Sequence, residues 1–293
     1  MSKLLFILNP CSGQRKANKQ LTEIVDLFNR AGYTVITHIT ACSGDAQAAA
    51  QRYAPEVDRI VCCGGDGTFN ETVSGVLKSG LNIPIGYIPA GSTNDVASSL
   101  GLSNNILQAA QNIVDGSAQS VDVGCFGDRY FSYIASFGVF TRTSYTTPQS
   151  LKNTLGHAAY LLSGIQELSQ LRTYPVRFEL PDGKVIEDEF LFGAVSNSTS
   201  IGGILTLSPA DMHDGVFELL LIRAPKDLFE LSDCVRALQQ KTYNNPMITF
   251  LNTPSVKVSA PENMDWTLDG EQQNGCSYVE IQCMHHAIQV LSK

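Results

Sequence analysis

The spacing of apolar and polar positions divides this chain into two textures. Lys3–Leu8 is a short apolar run ended by Asn9-Pro10, the pattern of a buried strand. Leu21, Ile24, Val25 and Phe28 then recur at i, i+3, i+4 and i+7, one face of a helix that Ala31-Gly32 ends. The same reading predicts strands at Tyr33–Ile39, Arg59–Cys63 and Ile83–Ile88. It predicts helices over Asp45–Tyr53, from Asn70 to Leu77, and after the Pro89–Asn94 loop through Leu100. Strands alternating with helices predict a mostly parallel α/β sheet.

Near Ser120 the texture changes. Val121–Cys125, Arg129–Ala135, Val176–Leu180, Phe190–Ser196, Val216–Ile222, Ile248–Leu251 and Ser255–Val258 read as strands. Turn signals such as Pro181-Asp182-Gly183 separate some of them. This half predicts a predominantly antiparallel, sandwich-like β domain. Helical stretches at Leu151–Leu171 and Asp227–Leu238 interrupt it.

Composition narrows the classes. A length of 293 residues suits about two domains, and 43% hydrophobic with 16% charged residues suits a globular protein. The net charge of -8 argues against a basic face that grips nucleic acid and against whole-body attraction to anionic lipid. It leaves room for a local basic patch. The apolar run Leu4–Leu8 is too short for a signal-peptide core or a bilayer span, so a cytoplasmic protein is expected. None of the eight cysteines forms a C-x-x-C pair, and free buried thiols are expected. His285 and His286 adjoin; neighbours in a strand face opposite ways, so separate structural roles are expected.

The first chemical signal is Gly64-Gly65-Asp66-Gly67-Thr68, placed between a strand and a helix. Glycines let backbone approach phosphate, and a helix N-terminus favours negative charge. Asp66 would repel phosphate directly, so it fits if Mg²⁺ lies between them or if its carboxylate orders the loop, and both readings stand; a plain turn with a helix cap fits the same five residues. Neither G-x-x-x-x-G-K-[ST] nor G-x-G-x-x-G occurs. Two more Gly-bearing loops, Asn9–Gly13 and Pro89–Asp95, leave strands at the same sheet edge, where open parallel sheets bind ligands. Arg15, Lys16 and Lys19 either neutralise phosphate or form a solvated helix face. Asp211 and Asp214, before Gly215, read as a metal site or as a plain turn.

These pieces together resemble the soluble diacylglycerol kinase catalytic-domain family, which includes bacterial lipid kinases and sphingosine and ceramide kinases. The matching segments are N-P-x-S-G at Asn9–Gly13, T-x-x-x-G-D-A at Thr40–Ala46, G-G-D-G-T-x-N-E at Gly64–Glu71 and P-x-G-S-T-N-D-x-A at Pro89–Ala97. Later come Ser208-Pro209-Ala210, Asp214-Gly215 and Asp269-Gly270-Glu271. Two departures stand out: Cys11 where the family often has Lys, and Ser92 where Gly is common.

The resemblance implies an ATP-binding α/β domain over residues 1–124 and a β-rich lipid-acceptor domain over 125–278, with 279–293 returning to the first. It implies an ATP site lined by Asn9, Pro10, Cys11, Ser12, Gly13, Thr40, Gly65, Asp66, Gly67, Thr68, Phe69, Asn70, Glu71 and Thr93. Asp66 would anchor catalytic Mg²⁺ with help from Asp122, and Glu271 would be the general base. Asp214, with the carbonyls of Asp211 and Val216, would form a second, structural metal site. The implied reaction moves the γ-phosphoryl group of ATP to a lipid hydroxyl, most simply diacylglycerol, giving phosphatidate. Apolar candidates for the acceptor channel are Tyr130, Phe131, Tyr133, Phe137, Phe140, Tyr145 and Tyr160–Leu162; each also reads as core. The implied partner is a lipid surface met transiently by a cytoplasmic protein, and a homodimer is compatible.

Three alternatives share parts of this pattern. Sphingosine or ceramide can replace diacylglycerol as acceptor. NAD kinases share G-G-D-G-T, but the loop at Pro89 matches the lipid kinases. A nucleotide- or lipid-binding regulator has no need of Glu271 beside Asp66.

Overall fold

A computed structural model describes residues 2–13, 16–139, 171–198, 200–201, 205–206 and 211–293. The chain divides into two units, Met1–Val123 with Met284–Lys293, and Gly124–Cys283.

In the first unit, β1 (Ser2–Leu8) pairs in parallel with β2 (Tyr33–Ile39) on one side and β3 (Arg59–Gly64) on the other. β4 (Ile85–Pro89) follows β3, and Val290 and Leu291 of the last strand, β17 (Tyr278–Ser292), extend the parallel sheet beside β4. Every residue from Leu4 to Leu8 is buried, because helices cover both faces of a parallel sheet. On one face, Ile24 and Phe28 of α2 (Leu21–Arg30) and Ala109 and Ile113 of α6 (Ile106–Asp115) pack with Leu4, Phe6, Leu8, Val61 and Ile88. α3 (Asp45–Tyr53) packs on β1, and α4 (Asp66–Ser79) on β3 and β4. The chain leaves β1 toward β2 and later enters β3 on the opposite side, so the strand order reverses between β1 and β3. Such a reversal opens a crevice at the carboxyl ends of the strands.

The second unit is antiparallel among its described strands. β9 (Val185–Ser196) pairs with β7 (Ile134–Gly138), β8 (Tyr174–Glu179) and β12 (Phe217–Arg223). β12 also pairs with β13 (Ile248–Thr253). Its core holds Phe131, Phe137, Phe178, Phe217, Trp266 and Ile281, with the Trp266 ring 5.0 Å from that of Phe137. Ring pairs at that spacing add about 0.5–1.5 kcal/mol beyond burial. The boundaries of the two units fall inside β5 (Ser117–Phe126) and β17.

The structure corrects several expectations. α4 begins at Asp66, four residues before the expected Asn70, since Gly65 is extended at the N-cap and an acidic first turn complements the helix dipole. The expected strand Arg129–Ala135 is two strands, β6 (Arg129–Phe131) and β7. The break falls at Ser132-Tyr133, whose amides turn to the buried Asp269 carboxylate. β4 starts at Ile85 rather than Ile83, because Pro84 cannot donate to the ladder. The expected helix Leu151–Leu171 lies, but for Leu171, outside the described residues, as do Phe140, Tyr145, Tyr160–Leu162 and Ser208-Pro209-Ala210. The helix expected at Asp227 runs Leu228–Gln239, and Asp227 caps it by accepting the Glu230 N–H at 2.8 Å.

His285 and His286 do not face apart. Along β17 the buried positions are Val279 and Ile281, then Ile288, Val290 and Leu291. The regular strand conformation breaks between these two stretches. His286 sits there at φ 52°, and such a bulge lets two consecutive side chains share a side. The two imidazoles stack with centroids 3.7 Å apart.

Candidate active site

Three loops meet at the crevice. Asn9 follows β1; its backbone N–H donates to the Cys63 carbonyl at 2.9 Å and its Nδ2 to Thr68 Oγ1 at 2.9 Å. The Asn9 Oδ1 accepts the Cys11 N–H at 3.0 Å, and the Ser12 hydroxyl donates to the Asn9 carbonyl at 2.7 Å. Gly13, at φ 49°, passes so close to the loop after β4 that a Cβ there would lie 2.3 Å from the Ala90 carbonyl oxygen. A Cβ on Gly91 would lie 2.6 Å from Gly65 Cα. Glycine is therefore required for the approach of backbone to backbone. Asn94, at φ 55°, holds the third loop by accepting the Gly91 N–H at 2.9 Å.

Asp66 and Glu71, the two carboxylates of the G-G-D-G-T-x-N-E motif, each tie down another helix. Asp66 Oδ2 accepts the Asp95 N–H at 3.0 Å and Oδ1 the Val96 N–H at 3.2 Å, at the start of α5 (Asp95–Ser99). Burial raises the Asp66 carboxyl above its ordinary proton affinity, while these amides pull the other way. A carboxylate offers about four acceptor positions, so Asp66 can order the loop and still face a cation. Glu71 Oε1 accepts the Gly44 N–H at 2.8 Å and Oε2 the Ala46 N–H at 3.1 Å, capping α3. Both readings of Asp66 thus survive, and loop ordering is the one whose contacts are visible.

The N-terminus of α4 faces the same loops. Its N-cap Gly65 supplies no side-chain acceptor, and first-turn amides have no partner within the helix. That is the arrangement in which phosphate binds. Thr40 is placed at the rim by its N–H bond to the Leu8 carbonyl at 2.9 Å, and Thr93 is exposed. Pro10 accepts from Asn18 Nδ2 at 3.0 Å, and Asn70 is half-buried. Phe69 is the exception: its side chain is buried, its ring 4.7 Å from that of Tyr87, so only its backbone is left for a ligand. Arg15 lies outside the described residues.

In the second unit, Asp269 organises the Asp-Gly-Glu turn. Its Oδ1 accepts the N–H groups of Tyr133 and Ile134, each at 3.0 Å, and its Oδ2 that of Ser132 at 2.5 Å. Glu271 then opens β16 (Glu271–Gln273), half exposed, with Arg129 Nη2 3.7 Å away. Phe131 and Phe137 are fully buried and Tyr133 nearly so, as core residues; Tyr130 is half-buried.

Asp211 and Asp214 are exposed and each closes a turn, on the His213 N–H at 3.0 Å and the Val216 N–H at 3.1 Å. Glu218, two residues beyond Val216, is fully buried, and neither oxygen has a hydrogen-bond partner among the described residues. Burial, with Asp214 and Asp211 nearby, pushes its carboxyl up to about 8. A buried carboxyl orphaned beside two acidic turns fits a bound cation. Asp122 is buried and accepts from His285 Nδ1 at 3.0 Å and from the His286 N–H at 2.7 Å. Among the described residues, the group of three ligating side chains that converges is Asp122, His285 and His286, without Asp66.

Glu218 and the side chain of Arg129 escaped sequence reasoning, while Asp269 was read only as part of its turn and the histidine pair as two separate structural residues. A buried Glu in the apolar run Val216–Ile222 was the one available signal.

Residues 3–126 match the family model of the diacylglycerol kinase catalytic domain, and residues 134–292 that of the YegS C-terminal NAD kinase beta sandwich-like domain. A diacylglycerol kinase of Bacillus subtilis (strain 168) is 36% identical over 274 residues, 92% of this chain and 90% of its own length. This chain belongs to the diacylglycerol kinase family. It is accordingly a phosphotransferase with an alcohol acceptor. A family member from Staphylococcus carnosus (strain TM300), also a diacylglycerol kinase, is 33% identical, covering 91% of this chain and 87% of its own. Two crystal structures from Bacillus anthracis str. Sterne align with the whole of this chain, at TM-scores of 0.83 and 0.77 and identities of 26% and 23%. They cover 95% and 97% of those chains, and the second, a diacylglycerol kinase, bears on the fold alone.

Proposed function

We propose that this family member transfers the γ-phosphoryl group of ATP to the free hydroxyl of diacylglycerol, giving phosphatidate and ADP. The observation that carries the donor half is the convergence of the Gly13, Gly65 and Gly91 backbones beside Asp66 and the open N-terminus of α4. Phosphoryl transfer needs little covalent help and much positioning, because its transition state is loose. Backbone N–H groups that cannot move hold the phosphates; Asn9, bonded to Thr68, fixes the loop that closes over them.

Mg²⁺, when bound, offsets the charge on the β- and γ-phosphates. Asp66 is the residue proposed to hold it. Asp122, expected to help, is engaged by the two histidines, so the proposal rests on Asp66. Asp211, Asp214 and the Val216 carbonyl are proposed to hold the structural cation. Its charge would meet the buried Glu218 carboxyl.

On the acceptor side, Glu271 takes the hydroxyl proton as the new O–P bond forms and the bond to the β-phosphate oxygen breaks. It suits that role because it is half exposed and set by the Asp269 turn. The proposed setting is a cytoplasmic protein at a membrane surface. In support, no helix among the described residues is long and apolar enough to cross a bilayer. Phe229 is 84% exposed beside Leu228, with Lys226 near them, an apolar tip suited to shallow insertion.

The test presents diacylglycerol, sphingosine, ceramide and NAD separately, the lipids in mixed micelles, with γ-labelled ATP and Mg²⁺. Label on diacylglycerol in preference to the others is expected. Label on NAD alone, or on no lipid, contradicts the reading.

A further inference from the structure

Asp122, His285 and His286 form a group that the phosphotransfer reading does not use. Asp122 stands on β5 and the histidines on β17, strands that pair. The carboxylate is 0% exposed while the His285 side chain is 51% exposed, so the group has a buried anionic floor and an open imidazole rim. One ligating atom from each residue lies within 4.8 Å of the others, and His285 Nδ1 is already 3.0 Å from Asp122 Oδ1.

This convergence is built by the backbone. A regular strand would send His285 and His286 to opposite faces. The left-handed conformation of His286, φ 52°, turns both rings to one side. Such a conformation is unfavourable for a non-glycine residue. It persists because the His286 N–H is spent on Asp122 Oδ1 at 2.7 Å. The carboxylate thus fixes the backbone bend that presents the imidazoles to it.

We propose that Asp122, His285 and His286 form a binding site for a single borderline divalent cation, Zn²⁺ or Co²⁺ in preference to Mg²⁺. One carboxylate oxygen and two imidazole nitrogens are the donors that such ions favour, whereas Mg²⁺ takes oxygen and keeps its water. Ligands at about 2.0–2.2 Å from Zn²⁺ stand roughly 3.3 Å from one another in a tetrahedron. The 4.8 Å limit therefore needs only a small rotation of the exposed imidazoles. The cation replaces the hydrogen shared between His285 Nδ1 and Asp122, and solvent fills the remaining position on the open side. This inference stands apart from the phosphotransfer reading, since it rests on residues that reading leaves out.

The test titrates the chelator-stripped full chain with Zn²⁺ by calorimetry and with Co²⁺ by visible absorption. One equivalent of Zn²⁺ should bind with a Kd of about 1 μM or tighter, and about 1 mM Mg²⁺ should not displace it. His285→Ala, a change at a half-exposed position, should weaken binding at least about tenfold. His286→Asn removes the second imidazole with a residue that tolerates the left-handed backbone, and should weaken it similarly. Cys11 and Cys42 are exposed thiols, so the Co²⁺ spectrum should lack a thiolate charge-transfer band. Zn²⁺ affinity unchanged in both histidine variants, a thiolate band, displacement by Mg²⁺, or no binding in the micromolar range would each overturn the proposal.

Discussion

Arg129 holds a guanidinium nitrogen 3.7 Å from the Glu271 carboxylate. Both side chains are 40% or more exposed, so water screens the pair and its worth to the fold is small. The pairing matters more for aiming the carboxylate. Glu271→Gln should lower kcat by about 10²-fold or more with an unchanged melting temperature. Arg129→Gln should leave the fold intact and lower kcat less. A Glu271→Gln enzyme with full turnover would remove the base from the proposal.

Asp66 has two duties, and substitution should expose both. Asp66→Asn puts an amide NH₂ where one carboxylate oxygen accepted a backbone N–H of α5. A loss of about 1–2 kcal/mol in stability is expected, together with near-complete loss of turnover. Glu71→Ala removes only the α3 cap. It should cost about 1 kcal/mol and raise the KM for ATP more than it lowers kcat. Denaturant unfolding alongside initial-rate kinetics separates the two variants.

Gly13 and Gly32 give a matched comparison. Both have positive φ, but a Cβ on Gly13 would meet the Ala90 carbonyl, whereas one on Gly32 would meet nothing within 4 Å. Gly32→Ala should cost about 1 kcal/mol of stability through backbone strain with normal kinetics. Gly13→Ala should cost more and raise the KM for ATP, because the loop must withdraw from Ala90. Equal kinetics in the two variants would mean that the loop contact plays no part in binding nucleotide.

The buried Glu218 predicts a pH dependence in chelator. Its folded-state carboxyl is raised to about 8 from an ordinary 4.5, so the fold holds this proton more tightly than the unfolded chain does. The wild type should therefore lose stability as pH rises from about 4.5 to about 8, by a few kcal/mol at most. Glu218→Gln, which cannot ionise, should flatten that slope. Melting curves at pH 5 and pH 8 in excess chelator read it out; an identical slope in the two proteins would reject the assignment.

How much of this was legible in the chain varies with the range of the interaction. The βα alternation and the three glycine loops could be read because parallel strands and phosphate loops are local patterns. The helix α4 was read four residues short, since glycines in a first turn look like loop. Asp269 was seen only as part of a turn. Its three amide partners lie more than 130 residues away in sequence, and no local spacing reports that. The histidines were misjudged for a sharper reason. Period-two alternation assumes an unbroken strand, and the left-handed His286 breaks it with no glycine to announce the bulge.

The central claim is transfer of the γ-phosphoryl group to diacylglycerol with Glu271 as base. The most direct measurement is single-turnover transfer of label from γ-labelled ATP to micellar diacylglycerol, comparing the wild type with Glu271→Gln at matched, saturating ATP. The account predicts labelled phosphatidate from the wild type and a rate at least about 10²-fold lower from the variant, with ATP binding unchanged. Labelled phosphatidate formed at the same rate by both proteins, or by neither, would contradict it.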